Sequence, residues 1–148
     1  MSERSKQAET YFKEGYNCCQ AVVLAFADEV GLEKETALKI AASFGGGMGL
    51  LREVCGAVSG ALMALGIRFG YCTPNDMEGK QRGNGKAIEF INAFREQRGT
   101  LLCKELLGYN PGIPEDAAKI KELNLHDKVC NGAVTDAVGI AEEIIAQG

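Results

Sequence analysis

The sequence predicts an all-α fold: a single-domain helical bundle of about six to eight helices with glycine-rich loops, spanning residues 1–148. Three observations carry that expectation. Apolar residues recur at helical spacing in segment after segment, and no stretch alternates apolar and polar as a half-buried strand does. Glycines stand where the helical patterns end. With 148 residues, 46% of them hydrophobic, the chain has enough apolar material for one well-buried core.

The elements follow in order. Ser2 to Glu14 is a polar helix with an apolar edge at Ala8, Tyr11 and Phe12, stopped by Gly15. Asn17 is a good N-cap for Cys18 to Val30, which is apolar nearly all round and so expected to be central. Glu33 to Phe44 is helical until Gly45-Gly46-Gly47-Met48-Gly49, where glycines are too dense to propagate a helix. Leu51 to Phe69 reads as a further helix, and its Gly56-x-x-x-Gly60 spacing lets another backbone approach closely. Its apolarity would also suit packing in a homodimer.

After the turn at Pro74-Asn75, Asp76 to Arg98 reads as a long helix, frayed in its glycine-rich first half, with Ile88, Phe90, Ile91, Ala93 and Phe94 supplying core contacts. Thr100 is placed to cap Leu101 to Leu107, Glu115 to Leu123 is a weak helix, and Asp127 is placed to cap a last one ending at Ala146.

Composition excludes several functions. A net charge of −4 with scattered basic residues leaves nothing to neutralise phosphates, so nucleic acid is not an expected partner. No export signal opens the chain, and the most hydrophobic stretch, Val54 to Ile67, is shorter than the roughly twenty residues of a membrane span, so a cytoplasmic location is expected. One histidine and few serines argue against a Ser-His-Asp hydrolase. The glycine loop lacks the Lys-Ser or Lys-Thr of a P-loop, and His126 reads as a polar loop residue.

What remains is thiol chemistry. Six cysteines without a secretory signal point to metal, cluster or catalytic use more than to structural disulfides. On the predicted helices Cys18, Cys103 and Cys130 fall in first turns, where unpaired N–H groups and the helix dipole lower a thiol pKa from about 8.5 into the range 3.5–7.5. Cys55 has no such cap upstream, but follows the glycine loop and stands beside Gly56, with Arg52 about one turn away. Gly45, Gly46, Gly47 and Gly56 are the residues expected to leave room for a cofactor, and Tyr16 to stand near Cys18. No C-x-x-C occurs.

These residues resemble a known family. Asn17-Cys18-x-Gln20-Ala21-Val22, Phe44-Gly45-Gly46-Gly47-Met48-Gly49 and Cys55-Gly56-Ala57-x-x-Gly60-Ala61-Leu62, followed by single cysteines at 103 and 130, are similar to the C_GCAxxG_C_C redox-active proteins over nearly the whole chain. The resemblance implies redox activity and places the four motif cysteines at Cys18, Cys55, Cys103 and Cys130, leaving Cys19 and Cys72 as extras. A related domain in a split-Soret type cytochrome associates a similar pattern with an iron–sulfur cluster.

Three readings follow. Four thiolates converging in space could ligate a 2Fe–2S cluster, or zinc in the same tetrahedral set. Two of the four could instead form a reversible disulfide with no metal, Cys18, Cys103 or Cys130 attacking and Cys55 resolving. In the third, the cysteines only sense metal or oxidation while a surface of the protein meets a membrane transporter, an association that the family resemblance implies.

Overall fold

A helix that is hydrophobic all round has to be surrounded, and that requirement organises the bundle. The computed structural model describes all 148 residues. It contains eight α-helices: α1 (Glu3–Lys13), α2 (Cys18–Val30), α3 (Lys34–Ala41), α4 (Gly56–Phe69), α5 (Met77–Arg98), α6 (Cys103–Leu107), α7 (Pro114–Glu122) and α8 (Asn131–Gln147). A 3-10 turn, Ala42–Phe44, extends α3, and a π-helical turn, His126–Cys130, runs into α8. The fold is all-α as the sequence predicts, and its one β pairing is an isolated antiparallel bridge between Val54 and Leu102. No helix is long and apolar enough to cross a membrane.

Every residue of α2 from Ala21 to Ala27 is buried, with α1, α3, α4 and α8 packed about it. Its start is fixed by a reciprocal cap. The Asn17 side chain accepts from the Gln20 amide at 2.9 Å while Gln20 Oε1 accepts from the Asn17 amide at 3.1 Å, so two orphan donors of the helix end are satisfied together. The same side chains donate to the carbonyls of Ala42 and Leu38, tying the start of α2 to α3. Gly31 closes the helix with φ +71°.

The small-residue spacing on α4 brings it against α2 as expected. A Cβ on Gly60 would stand 2.8 Å from the Cys19 carbonyl oxygen, and one on Gly56 3.0 Å from the Cys19 amide nitrogen. Helix α8 closes the core with Val134, Val138, Ala141 and Ile145, one turn apart on one face.

Two expectations change on α5. Its glycine-rich half is helical from Met77, because Asp76 accepts from the Gly79 amide at 2.9 Å and the small residues let this end cross close to Phe69 and Tyr71. Ile88 is 56% exposed. At about 100° per residue it points some 200° from Phe90, which with Phe94, one turn on, forms the buried face.

Candidate redox site of four cysteines

Each of the four motif cysteines is set by a different local structure. Cys18 is the first residue of α2, directly behind the Asn17 cap. Cys55 is the N-cap residue of α4; its side chain makes no capping hydrogen bond, though the amides of Ala57 and Val58 lie near enough to favour its thiolate. The helix expected from Leu51 therefore begins at Gly56. Leu50 and Arg52 have φ of +66° and +62°, values a right-handed helix cannot contain, so the chain reaches Cys55 through irregular backbone. Cys55 is the cysteine for which sequence offers no cap upstream, and it is itself the N-cap residue of α4.

Cys103 opens α6. Thr100 does not cap that helix; its hydroxyl accepts from the Leu102 amide at 3.1 Å, and α6 begins later than expected. The Val54–Leu102 bridge joins the residues just before two of the cysteines, with Cys55 N–H donating to Leu101 O at 2.8 Å and Cys103 N–H to Glu53 O at 2.7 Å. Cys130 ends the π-helical turn, so it is not in the first turn of an Asp127-capped helix. That turn brings His126 Nδ1 to 3.6 Å from Cys130 Sγ.

The four sulfurs line one cavity of about 210 Å³, together with Gly46, Gly47, Gly56, Arg52, His126 and apolar side chains including Phe12, Leu106 and Val129. Gly45 stands behind the wall, where a Cβ would meet the Asn17 side chain at 2.6 Å. Tyr16 is outside, edge-on to Tyr11 with ring centroids 6.1 Å apart. Cys19 is buried between α2 and α3, its Sγ 3.9 Å from Met63 Sδ, and Cys72 is exposed beyond α4.

The loop over the cavity is strained. Gly46, Gly47, Met48, Gly49 and Leu50 all have positive φ, as does Arg52, and each non-glycine residue there costs about 1–2 kcal/mol. Bonds from the amides of Arg52 to Gly46 O at 3.0 Å and of Glu53 to Gly47 O at 2.9 Å fold the loop back on itself and hold Arg52 beside the sulfurs.

Electrostatics divide the thiols. The Cys18 thiol lies beside Cys130 and Cys55, and interaction with these two thiols, with burial, raises it well above the ordinary value. Interaction with Cys18 lowers Cys130 to about 6 against the penalty of burial, helped by His126 and by the Arg52 charge. Cys55 is lowered by Cys18 first and then by the two amides of α4, which outweigh burial. Cys103 is raised, since burial and the charge of Cys55 outweigh its bond from Arg52. Burial pushes Cys19 up to about 12.

Four sulfurs share one cavity with the Arg52 and His126 side chains. In this arrangement Cys130 and Cys55 lie beside Cys18, and no three His, Cys, Asp or Glu side chains converge closely enough to hold a metal ion. Of the flanking residues, His126 was read as a loop residue. The signal that could have found it is its four-residue spacing from Cys130, one helical turn.

Fold and site together define a helical protein with four cysteines around one cavity. Over residues 16–144 the chain matches the family described as Putative redox-active protein (C_GCAxxG_C_C), and it belongs to that family. The family's pattern writes glycine before the second cysteine, whereas here Cys55 precedes Gly56; in this chain residue 56 presses on the α2 backbone and residue 55 stands at the N-cap position of α4. No curated protein and no solved structure matches the chain.

Proposed function

We propose that Cys18, Cys55, Cys103 and Cys130 ligate a 2Fe–2S cluster through which the protein transfers or senses single electrons. The observation that supports this reading is that four thiols from four separate segments line one cavity, where a dithiol couple would use only two. Such a cluster would supply reversible one-electron chemistry. The chain's own contribution is to hold the sulfurs and temper their charge. The α4 amides act on Cys55, His126 on Cys130 and Arg52 on Cys103, and the protons of the raised thiols Cys18 and Cys103 leave when all four become thiolates. Zinc would take the same ligands, and analysis separates the two.

The test is metal and acid-labile sulfide analysis with a visible spectrum on protein purified without oxygen. The expected result is about two iron and two sulfide per chain, lost on Cys55→Ser. Zinc without sulfide would replace the cluster with a structural site, and neither metal nor sulfide would leave thiol exchange.

That second reading has its own support, the juxtaposition of Cys18 with a Cys130 thiol lowered to about 6. In it the Cys130 thiolate attacks one sulfur of an external disulfide and releases a thiolate. Cys18, losing its proton, then displaces the second thiolate and closes a Cys18–Cys130 disulfide, so that two electrons pass to the external disulfide. In reduced, metal-free protein, iodoacetamide is expected to label Cys130 first. The rate should fall as pH drops through about 6 because the thiolate gains its proton. Cys19, held near 12, stays unlabelled. Site-resolved mass spectrometry across pH 5–9, a range spanning about 6 and the ordinary value of about 8.5, reads this, and a Cys130 midpoint near the ordinary value would reject it.

A further inference from the structure

Helix α5 commits only one side to the core. Gly79, Gly83, Ala87, Phe90 and Phe94 turn toward the helices it packs on, α4 and α8, while the opposite face is open to solvent along its length. That open face has an order. Glu78, Gln81, Gly85, Ile88, Asn92 and Arg95 follow one another at steps of three and four residues, the spacing of a coiled-coil seam, and all six are exposed.

The stripe is complementary to its own reverse. Set antiparallel to a second copy about a two-fold axis between Gly85 and Ile88, Glu78 meets the partner's Arg95, Gln81 the partner's Asn92, and Ile88 the partner's Gly85. Each contact occurs twice, as a two-fold interface requires. Beside the seam, Arg82 meets the partner's Glu89. Parallel pairing would set Glu78 against Glu78 and Arg95 against Arg95, so charge selects the antiparallel arrangement. These charges are idle within the chain: Glu78, Arg82 and Arg95 take part in no ion pair, and Glu89 reaches Lys86 only at 3.9 Å. Gly85 stands mid-helix, where glycine is a poor helix former, with nothing within 4 Å of its Cβ position. The chain's own packing gives no reason for a glycine there; a partner's Ile88, 56% exposed in the single chain, does.

We infer that two copies of the chain pair through α5 as an antiparallel, two-fold symmetric helix pair, with Ile88 of each seated on Gly85 of the other. The homodimer face lies here and not on α4, most of whose apolar residues are taken up inside the chain. Helix α5 leads at its C-terminal end to the Val54–Leu102 bridge and Cys103, so the antiparallel arrangement sets the two thiol cavities at opposite ends of the pair. An interface of one helix face is small and largely polar, which makes it reversible, with a dissociation constant on the order of 10 µM.

The experiment is sedimentation equilibrium of the full chain, purified without oxygen and with whatever cofactor it carries, over about 1–500 µM, a range that brackets that constant. The mass should rise with concentration from that of the 15.8 kDa chain to twice that value. Gly85→Lys should weaken pairing at least tenfold. Its melting temperature, read at a concentration where the parent is monomeric, should stay level or rise, because the position is open and lysine is the better helix former. Glu78→Arg and Arg95→Glu should each pair at least tenfold more weakly alone, while an equimolar mixture of the two pairs as the parent does, because mixing restores both opposite-charge contacts. The inference is overturned by a monomer throughout the range, by a dimer that Gly85→Lys leaves equally tight, or by charge variants that pair like the parent alone or stay apart when mixed.

Discussion

Gly60→Val is expected to lower stability by about 3 kcal/mol, the upper end of the usual cost of overpacking a core. The reason is the seam between α2 and α4, where a Cβ at residue 60 would come within 2.8 Å of the Cys19 carbonyl oxygen and 3.0 Å of Val22 Cβ. Neither is a flexible side-chain end that can swing aside, so the helices must separate, and Cys18 and Cys55 separate with them. Helix propensity pulls the other way, since a glycine in a helix interior costs about 0.5–1 kcal/mol relative to alanine. Gly66, in the same helix with nothing within 4 Å of its Cβ position, isolates that gain. Gly66→Ala should therefore raise the melting temperature by about 2–3 °C, while Gly60→Val lowers it by several times as much. Thermal unfolding of the two variants measures both, and a Gly60→Val protein as stable as the parent would remove the close-approach argument.

Gly47→Ala is the second large effect, and it acts on the site. The residue has φ +72°, and a Cβ there would meet Arg52 Cα and the Glu53 amide nitrogen at 2.7 Å. Strain of about 1–2 kcal/mol adds to a backbone clash that cannot be relieved without opening the loop. Arg52 is held through that loop, so the variant should lose its positioning against Cys103 and Cys130. The expected result is a global destabilisation of about 2–4 kcal/mol together with loss of whatever cofactor the thiols hold. Gly49 gives the contrast, because its Cβ position has only a 4.0 Å neighbour, so Gly49→Ala bears the strain of φ +61° without the clash. Denaturant melts and metal content on both variants separate strain from collision.

The helices were legible because their signals are local. The Asn17 cap, the αL stop at Gly31, the buried α2 and the glycine seam of α4 are all set within a turn or two of sequence. The four cysteines could be named from their motif. What sequence could not give was the route to Cys55. Leu50 and Arg52 are ordinary helix formers by propensity, and only the folded-back bonds to Gly45 and Gly46 force them to positive φ, so the helix start moved from Leu51 to Gly56. The Val54–Leu102 bridge was equally hidden, since one pairing between distant residues leaves no periodic trace. His126 was missed because it reads as a loop residue before an Asp127 cap, whereas the π-helical turn begins at His126 itself and turns its four-residue spacing from Cys130 into a contact.

The bridge also insulates the sulfurs. The chain leaves it at Cys55, runs out along α4, turns at residues 70–76, returns along α5 and rejoins it at Leu101. Both ends of that hairpin are clamped to each other, so a length change at the distant turn is absorbed there and does not propagate to Cys55 or Cys103. Exposed Cys72 sits in that turn. It marks a natural insertion point for a fused domain, one that would leave the thiol cavity mechanically undisturbed.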